Sequence, residues 1–157
     1  MNYLDIEVFI LGVFFVDENQ SLKLYSVLTR ATQSINKKIE EDIRSYGLNL
    51  TEFGVMELLF HKGDQAIQKI GEKILIASSS ITYVVDKLEK KNFLIRKSCP
   101  NDKRVTYASL TELGSQFIVK NFPKHQLLIE QIFEKLSEEE KKIMIEQLKI
   151  IGKTNYQ

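Results

Sequence analysis

Ser79, Thr82, Tyr83, Asp86, Lys87 and Lys90 recur at steps of three and one residues, which gathers them on one side of a helix. Ile81, Val84, Val85 and Leu88 fall on the opposite side. Short hydroxyls at the N-terminal end, from Ser78, Ser79, Ser80 and Thr82, let such a helix come close to base edges, and Lys87 and Lys90 can reach phosphates on the groove wall. A surface helix capped by serines would carry the same residue types, so the surroundings must decide between the two. Arg96, Lys97, Lys103 and Arg104 form a second basic set around a turn-rich segment, Ser98 to Arg104. An arginine at an exposed tip suits a minor groove, whose negative potential attracts it.

The elements that must position these residues are legible from periodicity. Leu24, Leu28, Ala31, Ile35, Ile39 and Ile43 predict a long first helix over Ser21 to Tyr46, stopped by Gly47. Thr51 is the expected cap of a short second helix ending near Lys62 and Gly63. Ile67, Ile70 and Ile74 give a third helix of two turns, and Ser78 to Ser80 open the fourth. Asn92 suits a left-handed stop, after which Phe93 to Lys97 and Val105 to Leu110 read as a β-hairpin. Thr111 caps a further helix that Pro123 should kink near Asn121 and Phe122, and Ser137 with Glu140 forms a capping box before the last helix. The expected fold is mainly α with a small β-hairpin wing: a winged helix-turn-helix plus terminal helices forming a dimerisation region, because their apolar stripes exceed what one thin protomer can bury.

Composition narrows the function. Formal net charge over the 157 residues is +1, but residues 61–104 carry ten basic and five acidic side chains, against five and nine in residues 1–60. The middle of the chain is therefore a basic module that attracts phosphate. One cysteine allows no internal disulfide, so a reducing cytoplasm is expected. The apolar stretch before Asp17 has no Lys or Arg ahead of it, and its uncharged run from Val8 to Val16 falls short of the roughly 18 residues a spanning helix needs. No membrane role is expected, and the stretch is read as buried in the protein or an interface. There is no Gly-rich phosphate loop, no His-Glu-x-x-His, no Gly-x-Ser-x-Gly and no Cys/His zinc spacing, so neither an enzyme nor a metal or cofactor site is expected. His61 and His125 are read as partly exposed helix-end residues.

Leu50-Thr51-Glu52-Phe53 through Leu58-Leu59, Ile70-Gly71-Glu72, Ser80 through Lys91, Asn101-Asp102-Lys103-Arg104 and Leu110-Thr111-Glu112-Leu113-Gly114 occur in the order and spacing of one family. Over roughly residues 21 to 152 the chain resembles the MarR family of bacterial winged-helix transcriptional regulators. The resemblance implies a homodimer, usually a repressor, that binds a pseudo-palindromic double-stranded operator and is released by a small molecule or oxidant. It also implies that Ser78, Ser79, Ser80, Thr82 and Tyr83 read bases or backbone, that Lys87 and Lys103 contact phosphates, and that Arg104 enters the minor groove, oriented by Asp102. Asn92 departs from the Gly often found there, and the apolar stretch before Asp17 has no clear counterpart. One domain is expected, divided into an extension (1–20), a first helix (21–50), the winged helix-turn-helix (51–110) and C-terminal helices (111–157).

Two sensing routes follow from the resemblance. A small aromatic inducer could sit between the first, second and fifth helices beside Tyr25, Phe53 and Phe60, for which core packing is the competing account. An electrophile could act on Cys99, which stands among cations that favour a reactive thiol, although peroxide-sensing members place their cysteine near the first helix. A winged helix that binds protein instead of DNA is the alternative function, and it predicts exposed aromatics and aliphatics where this chain has hydroxyls and lysines.

Overall fold

Helices begin in this chain where a polar side chain can take up first-turn N–H groups. The computed structural model describes residues 19–74, 78–100 and 102–152; the apolar stretch before Asp17 lies outside them. Asn19 Oδ1 accepts from the N–H groups of Ser21 and Leu22, opening α1 (Gln20–Ser45), and Gly47 ends the turn that follows with φ +79°. The start of α2 (Leu50–Lys62) corrects the expected Thr51 cap. Asn49 accepts from Glu52 N–H at 2.8 Å while Glu52 Oε2 accepts from Asn49 N–H at 3.1 Å. Asn49 prevails because a glutamate three residues on closes the capping box, whereas Gly54 stands three residues after Thr51.

Beyond α2 lies an element that periodicity could not reveal. Gln65 and Ala66 form β1, two residues that pair with Ala108 and Tyr107 of β3. They lead into α3 (Ile67–Lys73) and α4 (Ser78–Lys90). Asn92 adopts φ +57°, and the N–H groups of Asn92 and Phe93 return to the carbonyls of Glu89 and Leu88, a Schellman closure of α4. β2 (Leu94–Ser98) and β3 (Thr106–Leu110) then pair antiparallel, giving the sheet order β1-β3-β2. The chain finishes with α5 (Glu112–Ile132) and α6 (Glu138–Gly152). Thr111 caps α5 as expected, and Ser137 exchanges hydrogen bonds with Glu140 before α6. α5 runs unbroken through Pro123; both Pro123 and Val119, whose carbonyl loses its usual donor, are exposed to water that can replace it. Among the described residues the fold is mainly α with a small β wing.

Packing divides the chain into two compact units after Glu41. In the first, α1 leaves Leu22, Leu24, Tyr25 and Val27 exposed. In the second, Phe53, Val55, Met56 and Leu59 of α2 and Ile81, Val85 and Leu88 of α4 form the core with Ile43, Ile70, Leu94 and Ile118. Each large side chain removed from water there contributes about 1.5–3 kcal/mol, which fixes the rotation of α2 and α4 about their axes.

The same unit holds a polar cluster that the sequence reading did not find. His125, read as partly exposed, is buried in the middle of α5, where its Nδ1–H donates to Asp42 Oδ2 at 3.0 Å and its ring lies 4.8 Å from that of Phe53. Tyr46 Oη–H donates to Asp42 Oδ1 at 2.5 Å, and Lys124 stands 3.5 Å away. Nothing in the spacing of residues 42 and 125 announces a pair 83 positions apart. Burial alone would raise the Asp42 pKa, but hydrogen bonds from Tyr46 and His125 and the Lys124 charge outweigh it and leave the carboxyl below its ordinary range. Its folded pKa is therefore below the unfolded value of about 4, so its stabilisation is complete above that pH and disappears as pH falls through the folded pKa. Asp42→Asn is expected to remove about 1–3 kcal/mol at neutral pH and to shrink the loss of stability between pH 4 and pH 2, measured by urea unfolding across that range.

Candidate nucleic-acid interface

With Ile81, Val84, Val85 and Leu88 turned into the core, α4 has one face left for solvent. Ser80, Thr82, Tyr83 and Lys90 are exposed there and Lys87 is half-buried. Ser78 and Ser79 form the first turn of α4. That turn holds no acidic residue, while Lys87 and Lys90 occupy the last one. No first-turn carboxylate therefore offsets the positive end of the helix dipole. Lys87 Nζ sits 4.6 Å from the centre of the Tyr83 ring, a cation–π contact that holds both side chains on the outer face.

At the wing, Asp102 Oδ1 accepts from the backbone N–H of Arg104 at 3.0 Å and from its Nε at 3.2 Å. This is the orienting contact expected between the two residues, and it holds the Asp102 carboxyl below its ordinary range. The Arg104 side chain is 91% exposed, so its guanidinium remains accessible on the other side, and Lys103 is exposed beside it. A cleft of about 260 Å³ separates the wing from α4, lined by Thr82, Arg96, Arg104, Gln68 and Thr106 among others. Gln68 at the start of α3 was not singled out from the sequence, because only folding brings it beside Thr82.

The four-cation cluster expected at the tip is corrected to two. Arg96 turns toward α4, where Asp86 and Glu89 accept from its guanidinium. Lys97 Nζ lies 3.0 Å from Asp64 Oδ2 and donates to Ser109 Oγ at 2.9 Å. Hydrogen bonds from Ser109 and Lys97 keep the Asp64 carboxyl below its ordinary range. Adjacent strand residues point to opposite sheet faces, so Arg96 and Lys97 find different acids.

The residues considered for sensing differ in their local surroundings. Phe53 is core, 1% exposed, between Tyr46 and His125; Phe60, on the same helix, is 39% exposed against His61. Tyr25 is exposed on α1. Cys99 is half-buried where β2 ends, its N–H donating to the Val105 carbonyl.

A short sheet wing beside an apolar-backed helix with a hydroxyl and lysine face defines a winged-helix DNA-binding protein. The MarR family model matches residues 48–106. The chain is 54% identical to the HTH-type transcriptional regulator MhqR of Bacillus subtilis over 133 residues, 85% of this chain and 92% of that protein. The chain therefore belongs to the MarR family of transcriptional regulators, which are not enzymes. Among solved structures it resembles the MarR-family regulator Sco3205 of Streptomyces coelicolor in complex with DNA (TM-score 0.82, 21% identity, covering 90% of this chain and 89% of that one). It also resembles BpsR of Bordetella bronchiseptica, described for the regulation of its DNA binding by 6-hydroxynicotinic acid (TM-score 0.74, 19% identity, covering 83% and 98%). No helix among the described residues is long and apolar enough to cross a membrane.

Proposed function

We propose that the protein is a cytoplasmic repressor that binds a pseudo-palindromic operator as a homodimer, reading it with α4 and the wing, and lets go when a small aromatic ligand or electrophile binds. The observation that carries this is the solvent face of α4 and the wing tip: Ser80, Thr82, Tyr83, Lys87, Lys103 and Arg104 present hydroxyls and cations where a protein-docking face would present aliphatics. In this reading Ser78, Ser79, Ser80, Thr82 and Tyr83 contact bases or backbone, Lys87 and Lys103 contact phosphates, and Arg104, held by Asp102, enters the minor groove.

Dimerisation is supported by exposed apolar side chains on the first and last of the described helices. α6 exposes Met144, Ile145, Leu148 and Ile151, and a groove of about 290 Å³ between α5 and α6 is lined by Ile129, Phe133, Leu136 and Met144. Exposed Leu22, Leu24 and Val27 extend the same property to α1. Two-fold symmetry would match half-sites one helical turn apart. A ligand that prefers one spacing of the two reading helices then shifts the dimer away from its DNA-binding shape, as the small-molecule regulation described for BpsR illustrates in a fold relative.

The test is selection of bound fragments from the source genome, followed by titration of the enriched duplex at several salt concentrations, with and without phenols, quinones and peroxide. A palindromic site whose affinity falls steeply with salt is the expected result; no enrichment, with weak binding at low salt, would point to a protein partner. On the enriched site Thr82→Ala is expected to lose roughly tenfold in affinity while random duplex changes little. Equal losses on both would make Thr82 a backbone contact.

A further inference from the structure

Asp86 and Glu89 present a problem for the interface just described. They lie one turn apart on α4, partly exposed, beside Lys87 and Lys90. Carboxylates on a reading helix repel the phosphates that the lysines attract, and this long-range repulsion lowers both encounter rate and affinity. Both carboxylates are met by one side chain from another element. Arg96 of β2 directs one guanidinium nitrogen to Asp86 Oδ1 at 2.5 Å and another to Glu89. A planar fork can serve two acceptors at once, which a lysine ammonium on the same strand would do poorly. Arg96 also lines the cleft shared with Thr82 and Arg104, so this pairing sits inside the face offered to DNA.

We propose that Arg96 is a positioning residue for DNA binding: its guanidinium masks Asp86 and Glu89, so that α4 meets the phosphate backbone as a cationic and not an acidic surface. The inference rests on α4 and the wing being the DNA interface. It differs from an Arg96 that touches phosphate itself, because the mask is needed only while the carboxylates are charged.

A mutant cycle on the enriched duplex separates these possibilities. R96A is expected to weaken binding roughly tenfold, within the range for residues of one ion-pair network. D86N/E89Q alone should stay within about threefold of the wild type, and R96A/D86N/E89Q should recover to a similar level, because neutral amides need no mask. A triple variant as weak as R96A would overturn the proposal, as would R96A binding like the wild type. Thermal melting of each variant shows whether it is folded. If R96A does not fold, R96K carries the test: one ammonium leaves one carboxylate unmasked, so R96K should bind more weakly than the wild type and R96K/E89Q should recover, and failure to recover overturns the proposal. A wild-type protein that enriches no DNA removes the interface and this inference together; a wild type that binds with strictly additive variants removes this inference alone.

Discussion

Arg104→Ala is expected to weaken operator binding by roughly ten- to a hundredfold, the range for one arginine contact at a DNA groove, with no measurable change in melting temperature. The two halves of that expectation have different origins. The side chain is 91% exposed and its hydrogen bonds run to the oxygens of Asp102, two residues away, so its loss leaves no core unfilled. An exposed ion pair of this kind contributes little to stability. The contribution to binding proposed for it would come from its position on the wing, where the Asp102 contact limits the orientations the guanidinium must give up on entering a groove. Asp102→Ala should therefore show a smaller loss in the same direction. Fluorescence anisotropy on the enriched duplex, with melting curves in parallel, measures both quantities. Unchanged affinity for Arg104→Ala would remove the wing from the interface.

Gly114→Ala is expected to destabilise the fold by roughly 3 kcal/mol, the upper part of the range for a forced steric clash. A Gly-to-Ala change inside an ordinary helix does the opposite, adding up to about 1 kcal/mol. Gly114 is the exception because an added Cβ would stand 2.0 Å from the Phe93 carbonyl oxygen and 2.9 Å from its carbon. That carbonyl cannot simply retreat: it accepts the Thr111 N–H at 3.0 Å, and Thr111 Oγ1–H donates to the Asn92 carbonyl at 2.7 Å. The contact joins the start of α5 to the corner between α4 and β2, so relief of the clash would displace the base of the wing. Gly54, inside α2, where an added Cβ would meet nothing within 4 Å, is the matched control. Gly54→Ala should be neutral or stabilising in the same urea titration. Equal behaviour of the two variants would show that the helix–corner contact is slack.

Most of the proposed interface could be read from local pattern, and the reasons are physical. The alternation of apolar and polar positions in Ser78 to Lys90 follows helical geometry, so burial of Ile81, Val84, Val85 and Leu88 and exposure of Thr82 and Tyr83 come from one stripe. The Asn92 stop, the Thr111 cap, the Ser137–Glu140 box and the Asp102–Arg104 contact each join residues at most five positions apart, within reach of short-range stereochemistry. The resemblance carried by the recognition helix and the Asp-x-Arg wing then supplied the family, which periodicity alone could not.

What folding decided are the pairings between residues distant in sequence. β1 is two residues long, too short for any periodic signal, and exists because β3 offers it an edge. Arg96 and Lys97 read as part of one basic cluster with Lys103 and Arg104, yet strand pleating sends them to different acids, Asp86 with Glu89 and Asp64. His125 read as a helix-end residue and is instead buried against Asp42 and Phe53. The sequence by itself determined the order of helices, the chemistry of the reading face and the family, because those depend on residue type and near-neighbour spacing. Only the tertiary structure decided which cations stay exposed to solvent and which are held by carboxylates of other elements, because electrostatic pairing depends on distances that chain separation does not encode.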